Sequence, residues 1–269
     1  TGTTTNNTVN IKGGSAANVV GAYSAGSATA NKVNVTGGSV GNITGSISTG
    51  GAASDNEITL GTGAVVTGFV MGGQGSTATN DNKINLEGNT TVTGILSGGN
   101  MVGTGNTLTV KGTNSAGNIT GFQKVSFDLS TASTTNPMLN ITNGWGTSFD
   151  WGALEVSNAE QPNRLVLMQN MAWISLSNYN GAKSVSNSDD TTEFNIDTEN
   201  HSSWDQRIVS ESYKYRLQDT PVTPSFDPSS VYGGISKVAN STRENDITVS
   251  SGSHTNAYGG YTDVPLVGT

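Results

Sequence analysis

Asn31-Lys32-Val33-Asn34-Val35 is one of five copies of a short strand, and their spacing decides the fold. The others are Asn7-Thr8-Val9-Asn10-Ile11, Asn56-Glu57-Ile58-Thr59-Leu60, Asn82-Lys83-Ile84-Asn85-Leu86 and Asn106-Thr107-Leu108-Thr109-Val110. Their opening asparagines follow one another at a nearly constant interval of about 25 residues, the length of one solenoid repeat. Each copy alternates an aliphatic residue with Asn, Thr or a charge, so one strand face is apolar and the other polar. The pairs Val9/Ile11, Val33/Val35, Ile58/Leu60, Ile84/Leu86 and Leu108/Val110 are the candidate core. Asn10, Asn34, Thr59, Asn85 and Thr109 fall on the outward face.

A second strand recurs between these copies. It reads Asn18-Val-Val-Gly21, Asn42-Ile-Thr-Gly45, Val65-Val-Thr-Gly68, Thr91-Val-Thr-Gly94 and Asn118-Ile-Thr-Gly121. A glycine repeated inside a strand implies a bend or a close backbone approach, so Gly21, Gly45, Gly68, Gly94 and Gly121 are aligned as one corner. The unit returns as Ser230-Val-Tyr-Gly233-Gly-Ile-Ser and Asn256-Ala-Tyr-Gly259-Gly-Tyr-Thr, one interval apart. Asn245-Asp-Ile-Thr-Val249 lies between them.

A period of about 25 residues with two or three short strands and no helical segment predicts an all-β, right-handed parallel β-helix, or β-solenoid. Dividing the chain by the period gives about ten coils and a rod roughly 50 Å long at a strand spacing of about 4.8 Å. The opening asparagines are predicted to stack as a ladder, each amide bonding along the axis. Residues 1–121 form the regular block, and residues 122–182 continue as irregular coils. Residues 183–228 form a polar, acidic insertion projecting from the rod, and repeats resume over residues 229–269.

Composition agrees. Gly contributes 36 of 269 residues, hydrophobic residues are 33% and charged residues only 12%. Low charge with alternating β-branched runs separates this chain from a disordered one. Cysteine is absent, which excludes a disulfide framework and suits export through an oxidising compartment. The apolar stretches are far shorter than a membrane span, so this segment is not expected to insert into a membrane. The net charge of −8 belongs wholly to residues 121–269, with sixteen acidic and eight basic residues. No Lys/Arg cluster offers phosphate contacts, and nucleic acid is not an expected partner.

No constellation of residues supports catalysis. His201 and His254 are the only histidines, and neither has a zinc-ligand spacing. The Gly-x-Ser-x-Gly run Gly37-Gly-Ser39-Val-Gly41 lies within the strand repeat and leads into no helix, so it is not a nucleophile elbow. Asp189, Asp190 and Glu193 supply carboxylates of the kind glycan hydrolysis needs. Adjacent residues on a strand point to opposite faces, and the Gly-His-Gly that pectin hydrolases place nearby is missing. The Gly-Gly-x-Gly-x-Asp calcium repeat is absent as well, since Gly72-Gly-Gln-Gly-Ser76 is followed by Thr77 where the repeat has Asp. The outward Asn/Thr file is too mixed for an ice-binding surface and reads as a structural ladder. Trp145, Trp151, Trp173, Phe127 and Phe149 read as a larger core, with a carbohydrate-stacking platform as the alternative. No catalytic residue, metal ligand or cofactor is therefore expected, and no binding residue is assigned.

The segments Ser230–Ser236, Asn245–Val249 and Asn256–Thr262, with their degenerate versions over residues 1–121, resemble the passenger repeats of bacterial autotransporter (type V secretion) adhesins. Gly121-Phe-Gln-Lys-Val-Ser-Phe127 and Leu139-Asn-Ile-Thr142 are similar to coils that follow a repeat block in such passengers. The resemblance covers more than half of the chain. It implies a non-catalytic adhesin displayed on the bacterial surface or secreted, mediating attachment, cell–cell self-association or biofilm formation. Its implied partners are a host or bacterial surface glycan or protein, or like chains. The family's signal peptide and outer-membrane barrel are expected outside this sequence. A purely structural stalk or matrix filament is the alternative, and a polysaccharide-active β-helix enzyme a distant one. Binding is expected on a long lateral face or in the Lys183–Pro228 insertion, with the irregular middle favoured because the regular coils use their residues for stacking.

Overall fold

The computed structural model describes residues 2–101, 103–145, 147–158, 164–171, 174–186, 192–202 and 205–215. It also describes the short strands Val231–Tyr232, Ile235–Ser236, Ala257–Tyr258 and Tyr261–Thr262. The chain is an all-β solenoid. One parallel sheet stacks Thr8–Ile11, Lys32–Val35, Glu57–Leu60, Lys83–Leu86, Thr107–Lys111, Lys124–Asp128 and Leu154–Ser157 in that order. The pairing follows the repeat without a slip: Val9 faces Val33, then Ile58, Ile84, Leu108 and Val125. Register is fixed because a one-residue shift would turn every aliphatic residue outward. Val33, Val35, Ile58, Leu60, Ile84, Leu108 and Val110 are completely buried, while Val9 and Ile11 on the first coil are only half-buried.

The asparagine ladder runs along the inside of this sheet. Asn31, Asn56, Asn82 and Asn106 are fully buried. Each side-chain oxygen accepts the backbone N–H of the asparagine one coil earlier, at 3.1 Å for Asn7 to Asn31 and 3.0 Å for Asn56 to Asn82. The Nδ2 groups of Asn7, Asn31 and Asn56 donate to the same acceptors. Those of Asn82 and Asn106 turn to the carbonyls of Ala53 and Thr79. Gln123 closes the ladder, its Oε1 accepting from Asn106 N at 3.0 Å. A buried amide left unpaired costs about 1–3 kcal/mol, which is why each member needs the next.

The second sheet departs from the predicted alignment. Val70 pairs with Ile43 and Leu96, so Gly72 and Gly98 share the corner with Gly21, Gly45 and Gly121. Gly68 and Gly94 stack instead on Gly41, in a file that Gly117 continues. The chain thus carries two glycine files, whereas the predicted single file mixes them. The cause is an irregularity at this edge: the coil strand is split into Val65–Val66 and Val70–Met71, and the register shifts between Val92 and Ile95. A side chain cannot enter the corner file. A Cβ on Gly45 would lie 2.1 Å from Gly72 O, and one on Gly72 would lie 2.5 Å from Gly98 O.

The solenoid has about seven turns, not ten. The later rungs are uneven, Leu108 pairing with Val125, 17 positions on, and Val125 with Leu154, 29 positions on, so together they keep the period. From Lys183 the chain then leaves the parallel array. Lys183–Ser186, Thr192–Ser202 and Asp205–Tyr215 form an antiparallel meander. It does not stand off from the rod: Asp205–Tyr215 pairs antiparallel with Leu165–Gln169, the last strand of the second sheet. Ile196 and Ile208 are fully buried and join the core cluster there with Leu165, Leu167 and Met168. The meander covers the open strand edge of Leu165–Gln169 and adds two buried side chains to the core there. In the returning repeat, Val231–Tyr232 pairs parallel with Ala257–Tyr258, and Ile235–Ser236 with Tyr261–Thr262.

Candidate binding surfaces

The lateral faces are built from outward residues one coil apart. On the first sheet, Asn34 Nδ2 donates to Asn10 Oδ1 at 2.9 Å, and Asn85 Nδ2 reaches Thr59 Oγ1 at 3.4 Å and Glu57 Oε1 at 3.1 Å. Lys32 pairs with Glu57 at 2.8 Å, and Lys124 with Glu155. The Glu57 carboxylate raises the Lys32 pKa through a hydrogen bond and charge. These polar groups bond to each other along the axis, as a structural ladder does, and exposed pairs of this kind stabilise little.

The second sheet differs. One outward file begins with Asn18 and Asn42, joined at 3.0 Å, and Asn42 Oδ1 accepts the Phe69 N–H at 3.1 Å. The next members are Phe69 and Ile95, each one position before the paired Val70 and Leu96. They are 38% and 44% exposed on a sheet face where asparagine would satisfy the pattern. Ile95 pairs with Asn118, whose Nδ2 donates to the backbone carbonyl of Trp145 at 3.4 Å. The Trp145 side chain is 67% exposed, against 2% for Trp151. Phe69, Ile95 and Trp145 therefore place apolar groups along one flank of the rod. Of the other aromatic residues, Phe127, Phe149 and Trp151 are in the core, and Trp173 lies outside the described residues.

A third cluster joins the last coil to the meander. Lys183 Nζ sits 5.3 Å from the centre of the Trp151 ring and donates to the backbone carbonyls of Trp151 and Leu154. Burial lowers its pKa, and the nearby Glu155 and Asp150 carboxylates partly offset this. Tyr179 meets Trp151 edge-on at 5.2 Å, and its hydroxyl donates to Asp197 Oδ1 at 2.6 Å. Arg164 pairs with Glu199. No sequence signal marks this cluster, since its members are scattered from Trp151 to Asp197 without a period.

The acidic candidates do not converge on described groups. Glu193 lies opposite Lys214 in the meander, while Asp189 and Asp190 lie outside the described residues. His201 is on the strand Thr192–Ser202, and His254 is outside the described residues. Asp197 and Glu199, the acidic side chains described there, hold Tyr179 and Arg164. Among the described residues no three acidic or histidine side chains gather as a metal site. A hollow of about 20 Å³ between Ile119, Gly121 and Phe149 has room for one water and no substrate. Among the described residues no helix is long and apolar enough to cross a membrane. No family model, curated protein or solved structure matches the chain.

Proposed function

We propose that this chain is the rod of a bacterial surface or secreted adhesin, non-catalytic, which attaches cells to a surface glycan or protein or to each other. The flank carrying Phe69, Ile95 and Trp145 is the observation that carries this reading. Exposed large apolar groups on a solvated sheet face oppose solubility, and such patches mark interaction sites. The resemblance of the repeats to autotransporter passengers supports display outside the cell. The buried asparagine and glycine files are fully used in stacking, so they hold the rod rigid and leave recognition to the flank.

The test is display of the chain on a non-adherent bacterium, with and without Phe69→Ser, Ile95→Asn and Trp145→Ala together. All three positions are exposed, so the variant retains the fold, as a thermal unfolding trace will show. Loss of attachment to cells or glycan-coated surfaces is the expected result. Unchanged attachment by a folded variant would remove the flank as the binding surface.

A further inference from the structure

The rod is built on asparagine, a thermolabile side chain. Its amide is lost when the backbone nitrogen of the next residue attacks the amide carbon. The coils oppose this attack in two ways. After each ladder asparagine, the next backbone N–H is already bound to the preceding coil. Lys32 N donates to Asn7 O, Glu57 N to Asn31 O, Lys83 N to Asn56 O and Thr107 N to Asn82 O. On the outward files, Asn18, Asn42, Asn118 and Asn140 are each followed by Val or Ile, whose branched side chain crowds the approach.

A following glycine leaves the nitrogen unscreened, and the sequence has two such steps, Asn143-Gly144 and Asn180-Gly181. The fold treats them differently. The first is anchored to the coil before it: Thr142 N donates to Ala116 O at 2.9 Å and Asn143 N to Gly117 O at 2.7 Å. Gly144 is buried, and a Cβ there would lie 2.9 Å from Ile174 Cγ1. The second lies between Ile174–Ser177 and Lys183–Ser186, where the chain passes from the solenoid into the meander. Asn180 is exposed, and neither it nor Gly181 has a hydrogen-bond partner among the described residues. Gly181 has a φ of +107°, and a Cβ there would meet nothing within 4 Å.

We propose that Asn180 is a self-modification site, converting without an enzyme to aspartate and isoaspartate. The Gly181 nitrogen bonds to Asn180 Cγ, the Cγ–Nδ2 bond breaks, and Nδ2 leaves as ammonia with the proton that Gly181 gave up. Water then opens the cyclic imide at either carbonyl. Opening at one restores the backbone and leaves a carboxylate side chain. Opening at the other routes the backbone through the former Cβ and lengthens it by a methylene. That change falls between Tyr179, which meets the Trp151 ring edge-on, and Lys183, whose Nζ lies over the same ring. Both grips on Trp151 depend on the length of chain between them, so the isoaspartate form loosens the meander.

The test is incubation of the full chain at mildly alkaline pH, folded and in urea, followed by peptide mapping. In the folded protein the tryptic peptide Leu165–Lys183 is expected to gain the mass of an amide-to-acid conversion, while the peptide carrying Asn143 stays unchanged. In urea both Asn-Gly steps are expected to convert, since only the fold distinguishes them. An Asn180 that stays intact in the folded chain, or an Asn143 that converts there as fast, overturns the site. The same peptide carries Asn170 and Asn178, so Asn180→Gln, whose longer side chain closes the imide poorly, places the change. This variant is expected to keep its peptide mass, and a gain that persists in it overturns the assignment. Amide exchange in the converted protein is expected to be faster over Lys183–Ser186 and Thr192–Ser202. Unchanged exchange in a fully converted sample overturns the effect on the meander.

Discussion

Asn56 shows how much of the rod depends on single side chains. Its Oδ1 accepts from both nitrogens of Asn31, and its own N–H and Nδ2 reach Asn82. Replacing it with Ala strands two donors of Asn31 in a site with no access to water. Asn56→Ala is expected to lower stability by about 2–4 kcal/mol, the cost of leaving buried polar groups unpaired. Asn10→Ala removes an outward ladder member at an exposed site and is expected to change stability by about 0.5 kcal/mol or less. Urea unfolding of the two variants beside wild type measures both, and equal losses would contradict the distinction. The inward ladder is legible in the sequence because one residue type recurs at one place in a fixed period. The glycines are less so. Gly45 and Gly72 share a file while Gly68 does not, and only the insertion around Thr67–Phe69 says which glycine keeps step.

At the level of elements, alternation specifies the first sheet because each aliphatic residue has only one face on which to be buried. The meander is legible as β-rich and acidic, but not as a cap. Its attachment depends on Ile196 and Ile208 meeting Leu165 and Met168 and on contacts from Trp151 to Asp197, and no local pattern encodes such distant pairs. Tyr179 offers a test of that attachment. Its pKa is raised from 10.0, chiefly because its hydroxyl donates to Asp197. The bond exists only while the phenol keeps its proton. Its stabilisation is therefore fully present below pH 10.0, the unfolded value, and is lost as pH rises through the higher folded value. Tyr179→Phe lacks this contribution at every pH. The stability gap between wild type and Tyr179→Phe is expected to be constant through neutral pH and to narrow above pH 10.0. Denaturation curves at paired pH values check it; a gap that widens would place the stabilisation elsewhere.

Across the whole molecule, a solenoid is a stack in which each coil contacts its neighbours, so damage should stay near its origin. The turn count escapes the sequence for a related reason: length divided by period assumes that every residue belongs to the stack, whereas residues 183–215 leave it as an antiparallel meander. Ile208 joins the two regimes, being fully buried and paired with Met168 on the last strand of the second sheet. Ile208→Asp puts an uncompensated charge in that seam, a change expected to cost more than about 3 kcal/mol locally. The meander should then release Leu165–Gln169 as a free sheet edge. Amide exchange is expected to accelerate strongly in Leu165–Gln169 and Asp205–Tyr215, while Lys83–Leu86, several coils away, keeps its protection. The exposed edge should also drive concentration-dependent association through strand pairing. If every rung lost protection equally, the rod would unfold as one cooperative body, and the meander would be part of its core, not its end.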